Sequence, residues 1–144
     1  MNTTMRRSAE ITIALPAEDA MQLFTPEGER VWAPGWAPAY PAPDRAPEPG
    51  VVFTTSHHHD QTVWIMVDRD SDRIRYAHVA DGMTAGTVAV DLLPSGPQST
   101  RVQVTYDLTA LTPQGCAWLA AFSDRFSGEI AGWSTHIADA VAGR

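Results

Sequence analysis

The chain is expected to form an α+β domain in which a curved antiparallel sheet of about six or seven strands wraps around a long C-terminal helix. Two observations predict this. From Thr112 to Gly143 the large apolar residues Leu119, Phe122, Phe126, Ile130, Trp133, Ile137 and Val141 each follow the one before by three or four positions. At about 100° per residue they fall within an arc of roughly 100°, a single stripe that must lie on something apolar. Ahead of that helix runs a succession of short segments alternating apolar and polar residues, the period of strands with one buried face. A helix laid lengthwise on such a sheet leaves a pocket between the two layers, where small molecules bind.

The elements follow in order. Ala9, Ile11, Ile13 and Leu15 alternate with Glu10, Thr12 and Ala14 as a first strand. Pro16 suits the first position of a helix carrying Ala17, Ala20, Met21 and Phe24 at helical spacing, and Thr25-Pro26-Glu27 restarts a second short helix that ends near Trp32. Between Ala33 and Gly50 the prolines 34, 38, 41, 43, 47 and 49 exclude helix and central strand. A connection of this length is often functional, for example as a lid, and its Trp36 and Tyr40 are expected to dock on the body of the domain. Val51 to His57 and Thr62 to Val67 form a hairpin turning around His58-His59-Asp60, and Asp68 to Asp72 is a charged hairpin tip. Ile74, Tyr76 and His78 make the apolar side of the next strand, with Asp81-Gly82 as its turn. Thr84 to Leu93 follows, and Pro94-Ser95-Gly96-Pro97 turns the chain into the strand of Val102, Val104, Tyr106 and Leu108. Thr112 as N-cap and Pro113 at the first helical position open the long helix.

One domain spanning residues 1–144 is expected, large enough to bury a core without disulfides or metals. With 44% apolar and 19% charged residues the composition is that of an ordinary globular domain. A formal net charge of -7 and scattered basic residues argue against nucleic acid and against an anionic membrane surface. No run approaches the ~20 apolar residues that membrane insertion requires. Arg6 and Arg7 precede an alternating strand instead of the apolar block of a signal peptide. The single Cys116 has no internal disulfide partner, so a reducing cytoplasm is the expected location. Its place in the first helical turn allows a reactive thiol, against the plainer reading of a small apolar side chain.

A strand, two short helices, five further antiparallel strands and a long helix is the element order of the helix-grip fold. The run Phe24-Thr25-Pro26-Glu27-Gly28-Glu29-Arg30-Val31-Trp32-Ala33-Pro34-Gly35-Trp36, the strand Thr62-Val63-Trp64-Ile65 and the segment Val104-Thr105-Tyr106-Asp107-Leu108-Thr109-Ala110-Leu111 resemble bacterial members of the SRPBCC (START-like, Bet v 1-like) superfamily over nearly the whole chain. That superfamily includes polyketide cyclases, lipid-transfer domains and activators of the heat-shock ATPase. The resemblance implies a cavity between sheet and helix but carries no universal catalytic motif. Where such proteins are enzymes, it implies working groups among cavity-facing Arg, Tyr, His, Asp or Glu.

Trp36, Trp64 and Trp133 lie on the loop, a strand and the helix stripe, and with Tyr40, Phe53, Tyr76, His78, Tyr106, Phe126 and Ile130 they form the expected lining of an apolar or aromatic ligand site. Trp32 and Trp118 read as core. His78 beside Tyr76, or Tyr106, can act as acid or base on a bound phenol or ketone, although a satisfied core residue is the commoner role for each. His57 and His59 share one strand face and can share a metal if His78 or Asp60 joins them, but a polar hairpin tip is the simpler reading, so no metal is expected. No cofactor is expected either, and without a glycine-rich phosphate loop or a nucleophile elbow the sequence carries no warrant for hydrolysis, phosphoryl transfer or redox chemistry. Asp70 and Asp72 sit on an exposed tip. Gly128 and Gly132 each cost the helix roughly 1 kcal/mol relative to Ala, a cost that close approach of another group would offset. The leading expectation is a binder of a lipid- or polyketide-like molecule; a cyclase- or dehydratase-like enzyme and a partner-binding module are its rivals, with homodimer formation left open.

Overall fold

The computed structural model describes residues 3–57 and 60–143. The chain runs β1 (Thr4–Ile13), α1 (Ala17–Gln22), α2 (Pro26–Glu29), β2 (Val52–His57), β3 (Asp60–Arg69), β4 (Arg73–Ala80), β5 (Thr84–Gly96), β6 (Ser99–Ala110) and α3 (Pro113–Ala142). The strands make one six-stranded antiparallel sheet in the order β1-β6-β5-β4-β3-β2. Consecutive strands from β2 to β6 are neighbours, whereas β1 crosses to the far edge and pairs with β6, with Met5 opposite Leu108 and Ile11 opposite Val102. This is the helix-grip architecture expected from the element order.

Boundaries differ from the expected ones where proline and edge geometry decide. Pro16 is the N-cap of α1 and not its first helical residue, and α2 ends at Glu29, before Trp32. β5 runs on through the expected turn to Gly96, with a register shift between Pro94 and Gly96, so Pro97-Gln98 makes the turn. A proline lacks the N–H that a regular ladder requires, which is why it falls at such an irregularity.

Along α3, Leu119, Phe122, Phe126, Ile130 and Ile137 are buried, while Trp133 and Val141 are half-buried. Each fully buried large side chain contributes roughly 1.5–3 kcal/mol. The helix packs chiefly on β1 and also on β6. Its start is fixed by Thr112, whose hydroxyl accepts from the Gly115 N–H at 3.0 Å and donates to the Gly82 carbonyl at 2.6 Å. Because the helix lies over one side of the sheet, the space above β2 to β5 is left to α2 and the segment that follows it.

Candidate functional site

The second short helix and its flanks build one wall of the site. Thr25 caps α2, accepting from the Gly28 N–H at 3.0 Å and donating its hydroxyl to the Gln22 carbonyl at 2.8 Å. Gly28 rests so closely on Gln22 that an added Cβ would overlap the Gln22 carbonyl oxygen, so no other residue keeps this packing. The tight turn holds Glu29 on the cavity wall. Downstream, the indole N–H of Trp32 donates to the Leu23 carbonyl (2.7 Å) and that of Trp36 to the Pro26 carbonyl (2.8 Å). Their rings are thereby presented to the interior. The Pro-rich segment beyond is pinned to the free edge of β2, with Ala39 and Thr54 exchanging backbone hydrogen bonds of 2.9 and 2.8 Å.

A cavity of about 360 Å³ lies between these residues, the sheet and α3. Its floor is Phe53 of β2, Trp64 of β3, Tyr76 of β4, Val88 and Val90 of β5, and Tyr106 of β6. α3 supplies Phe122, Glu129, Ile130 and Trp133, and the α2 side supplies Glu29, Trp32, Ala33 and Trp36. An outer groove along Gly128, Gly132 and Pro34 shares Trp32, Ala33, Glu129 and Trp133 with the cavity, so those four residues stand between the two. The aromatic walls brace one another: Trp36 meets Trp64 edge-on at 5.6 Å, and Trp32 lies 5.4 Å from Trp133.

The polar groups of this cavity are few. Trp64 donates its indole N–H to the Thr55 hydroxyl (2.9 Å) and Tyr76 its phenol to the Phe24 carbonyl (2.9 Å), so both tips are tied off within the protein. Glu29 accepts no hydrogen bond through its carboxylate among the described residues, and burial holds its carboxyl well above the usual carboxylate range. By surface area the residue counts as half-buried, but the area it retains lines the cavity, so loss of bulk water is the sound account of its acidity. Burial and the Glu29 charge likewise raise the phenols of Tyr76 and Tyr106. Glu129 differs, since it is half exposed and paired with Arg125 at 3.2 Å.

Of the ten residues expected to line a ligand site, seven border the cavity: Trp36, Phe53, Trp64, Tyr76, Tyr106, Ile130 and Trp133. The other three lie elsewhere. Phe126 is wholly buried against Tyr106 and Phe122. Tyr40 packs on Phe53 with its hydroxyl donating to Glu27 at 2.6 Å, an interaction that lowers the acidity range of Glu27, while burial raises that of Tyr40. His78 stacks on Trp64 at 4.6 Å and does not border the cavity; both its ring nitrogens are buried without a partner among the described residues, and burial pushes its pKa down to about 4. As a neutral ring screened by Trp64 it is not placed to exchange protons with a bound ligand.

Seven lining residues were not among those expected: Glu29, Trp32, Ala33, Val88, Val90, Phe122 and Glu129. Trp32 read as core, and its ring is indeed buried, but one side of it faces the cavity. Glu29 stands among Glu27, Arg30 and other polar residues in a solvated-looking run, and the only signal was its spacing of three residues from Trp32 and seven from Trp36. His58 and His59 lie outside the described residues, so the triple-histidine reading goes no further; among the described residues no three His, Cys, Asp or Glu side chains converge as a metal site requires. Cys116 is half-buried in the first turn of α3, and Asp70 lies exposed at the β3–β4 turn. Nothing in the protein approaches Gly128 or Gly132: a Cβ on either would meet open space.

No protein-family model and no curated protein sequence matches the chain. Solved structures do. Norcoclaurine synthase from Thalictrum flavum, in complex with dopamine and hydroxybenzaldehyde, superposes with a TM-score of 0.69 at 12% identity over 98% of this chain and 88% of that one. Protein MLL2253 from Mesorhizobium loti gives 0.69 at 13% identity over 94% and 98% of the two chains. DynU16, from the dynemicin biosynthetic locus, gives 0.63 at 14% identity over 96% of this chain and 48% of its own. At such identities the likeness establishes the Bet v 1-like, helix-grip fold that the residues resemble, and the fold alone.

Proposed function

We propose that this protein binds an apolar or aromatic small molecule in the cavity between its sheet and α3. The observation that carries this reading is the convergence of aromatic rings from β2, β3, β4, β6, α3 and the segment after α2 on one space of about 360 Å³, within the size range of small-molecule sites. The norcoclaurine synthase structure, with two small aromatic molecules bound in the same fold, supports it. Titration with neutral N-phenyl-1-naphthylamine tests it. Saturable 1:1 binding that changes tryptophan emission is expected, and Val88→Phe, which fills the floor, should weaken it at least tenfold while the protein still melts cooperatively. A parent protein that takes up no such probe sinks the proposal.

A second reading, acid–base catalysis of the cyclase or dehydratase kind, is favoured by one observation. Glu29, with raised proton affinity, and Tyr106, whose hydroxyl has no protein partner among the described residues, are the ionisable groups held in the cavity interior. The rival to it is simple binding. Mass spectrometry of a ligand after incubation separates them, since a binder returns it unchanged and an enzyme returns an altered product.

A further inference from the structure

The cavity has a one-sided chemistry. Its two carboxyl-bearing residues, Glu29 and Glu129, are both acidic, and no Lys, Arg or His is among its lining. Four of its aromatic residues have surrendered their donor hydrogens to the protein: Trp32 to Leu23, Trp36 to Pro26, Trp64 to Thr55 and Tyr76 to Phe24. What they offer a ligand is therefore ring surface, whose quadrupole is negative over the face. Of the aromatic donors in the lining, those of Tyr106 and Trp133 alone have no protein partner among the described residues, while carboxyl groups and aromatic faces together disfavour an anion. They suit a cation with an apolar body, because an ammonium is attracted both by carboxylate and by aromatic faces, most strongly where water is excluded.

Resting on the cavity reading above, we infer that the physiological ligand class is an organic ammonium ion, with its cationic head held by Glu29 among Trp32, Trp36 and Trp133 and its apolar part on the sheet floor. The neighbouring cations do not compete for the site. Arg30 is engaged by Glu27 at 2.8 Å and by the Pro38 carbonyl at 2.6 Å, and Arg125 by Glu129, over the Trp118 and Phe122 rings at 5.9 and 5.4 Å. The chain's net charge of -7 adds a long-range attraction of the same sign.

Proton linkage follows from the placement of Glu29. The groups facing it are Tyr76 from β4, Tyr106 from β6 and Glu129 from α3, none of which brings a positive charge that would stabilise the carboxylate of the empty site. Burial thus favours its protonated form. An arriving cation reverses that preference: the O–H bond breaks, the proton passes to solvent, and the carboxylate stays as counter-ion. Affinity for a fixed cation should accordingly rise with pH through the raised range of Glu29 and then level off.

Benzyltrimethylammonium, whose charge does not titrate, and its uncharged carbon isostere neopentylbenzene form the decisive pair, followed by tryptophan fluorescence and calorimetry. The parent should bind the cation at least tenfold more tightly than the isostere above the Glu29 range, and within that range, where the empty site still holds its proton, binding should release a proton measurable in buffers of different ionisation enthalpy. In Glu29→Gln the ratio of the two affinities should fall to within about twofold, and the proton release should vanish. If the parent binds the isostere as tightly as the cation, or if Glu29→Gln keeps the full preference, the ammonium inference is wrong although the cavity reading stands. If neither probe binds, both fall.

Discussion

His78 shows how much one buried side chain can cost. Its pKa stands at about 4 against an ordinary 6.5, because its ring is buried, and neither nitrogen has a partner among the described residues. The unfolded chain takes up a proton first as the solution acidifies, so stability present in full above pH 6.5 is lost progressively towards pH 4. Complete loss would amount to about 3 kcal/mol. Glu29 works in the opposite sense: its raised pKa means a contribution present below the ordinary carboxylate value and lost as pH rises through its own. Replacing His78 isolates the first effect. His78→Phe keeps a flat ring on Trp64, and urea unfolding at pH 7 and pH 5 should show the parent losing about 2 kcal/mol more than the variant between the two. Equal losses would mean that His78 is not buried neutral. The same scale alters what Trp36 can report. Its ring docks on the body of the domain as expected, hydrogen-bonded at one end and meeting both Phe53 and Trp64, so Trp36→Ala removes packing as well as contact with a ligand.

At the scale of the element, α3 has two faces with opposite tolerances. Phe126 is fully buried beneath the stripe, and a carboxylate there has no partner apart from Arg7, whose guanidinium lies 6.0 Å from the ring centre and is bonded to Ser123. Burying an unpaired charge costs several kcal/mol, comparable to the stability of the whole domain, so Phe126→Asp should abolish cooperative melting. On the groove side the expectation reverses. Gly132→Ala adds a Cβ into open space and removes a helix-weakening residue, so its midpoint in urea should correspond to a gain of roughly 0.5–1 kcal/mol. A loss would show that the groove is occupied by something the isolated chain retains. The stripe itself was legible because seven large residues share one arc; the glycines were legible as a cost, but what they leave open depends on where Pro34 and Trp32 come to lie.

For the whole molecule, a ligand that enters the cavity binds only the folded chain, because the cavity walls come from five strands, α2, α3 and the segment after α2. Binding must then raise the melting temperature by mass action. At a free ligand concentration of one hundred times Kd the stabilisation is about 2.7 kcal/mol, which for a domain of this length corresponds to roughly 9 °C. Scanning calorimetry with and without the cationic probe checks this, and an unchanged midpoint at saturation would place the probe on surface common to folded and unfolded chains. Filling the cavity with Val88→Phe should erase the shift.

Local periodicity was enough to determine the element order, the N-cap at Thr112 and the buried stripe of α3, because each follows from spacing within one segment. What only the tertiary structure decided is where spacing carries no information. β3 is apolar on both faces, so its sequence does not say that Trp64 and Met66 turn inward while Val63, Ile65 and Val67 face out. His78 shares its strand face with Tyr76, yet falls behind Trp64 because the adjacent strand places the indole directly opposite it. Glu29 is the sharpest case: an ordinary surface residue by composition, it becomes a buried carboxyl because α2 is turned onto Gln22 and α3 closes over the far side. Its acidity is a property of distance from water, and that distance exists only after the chain has folded.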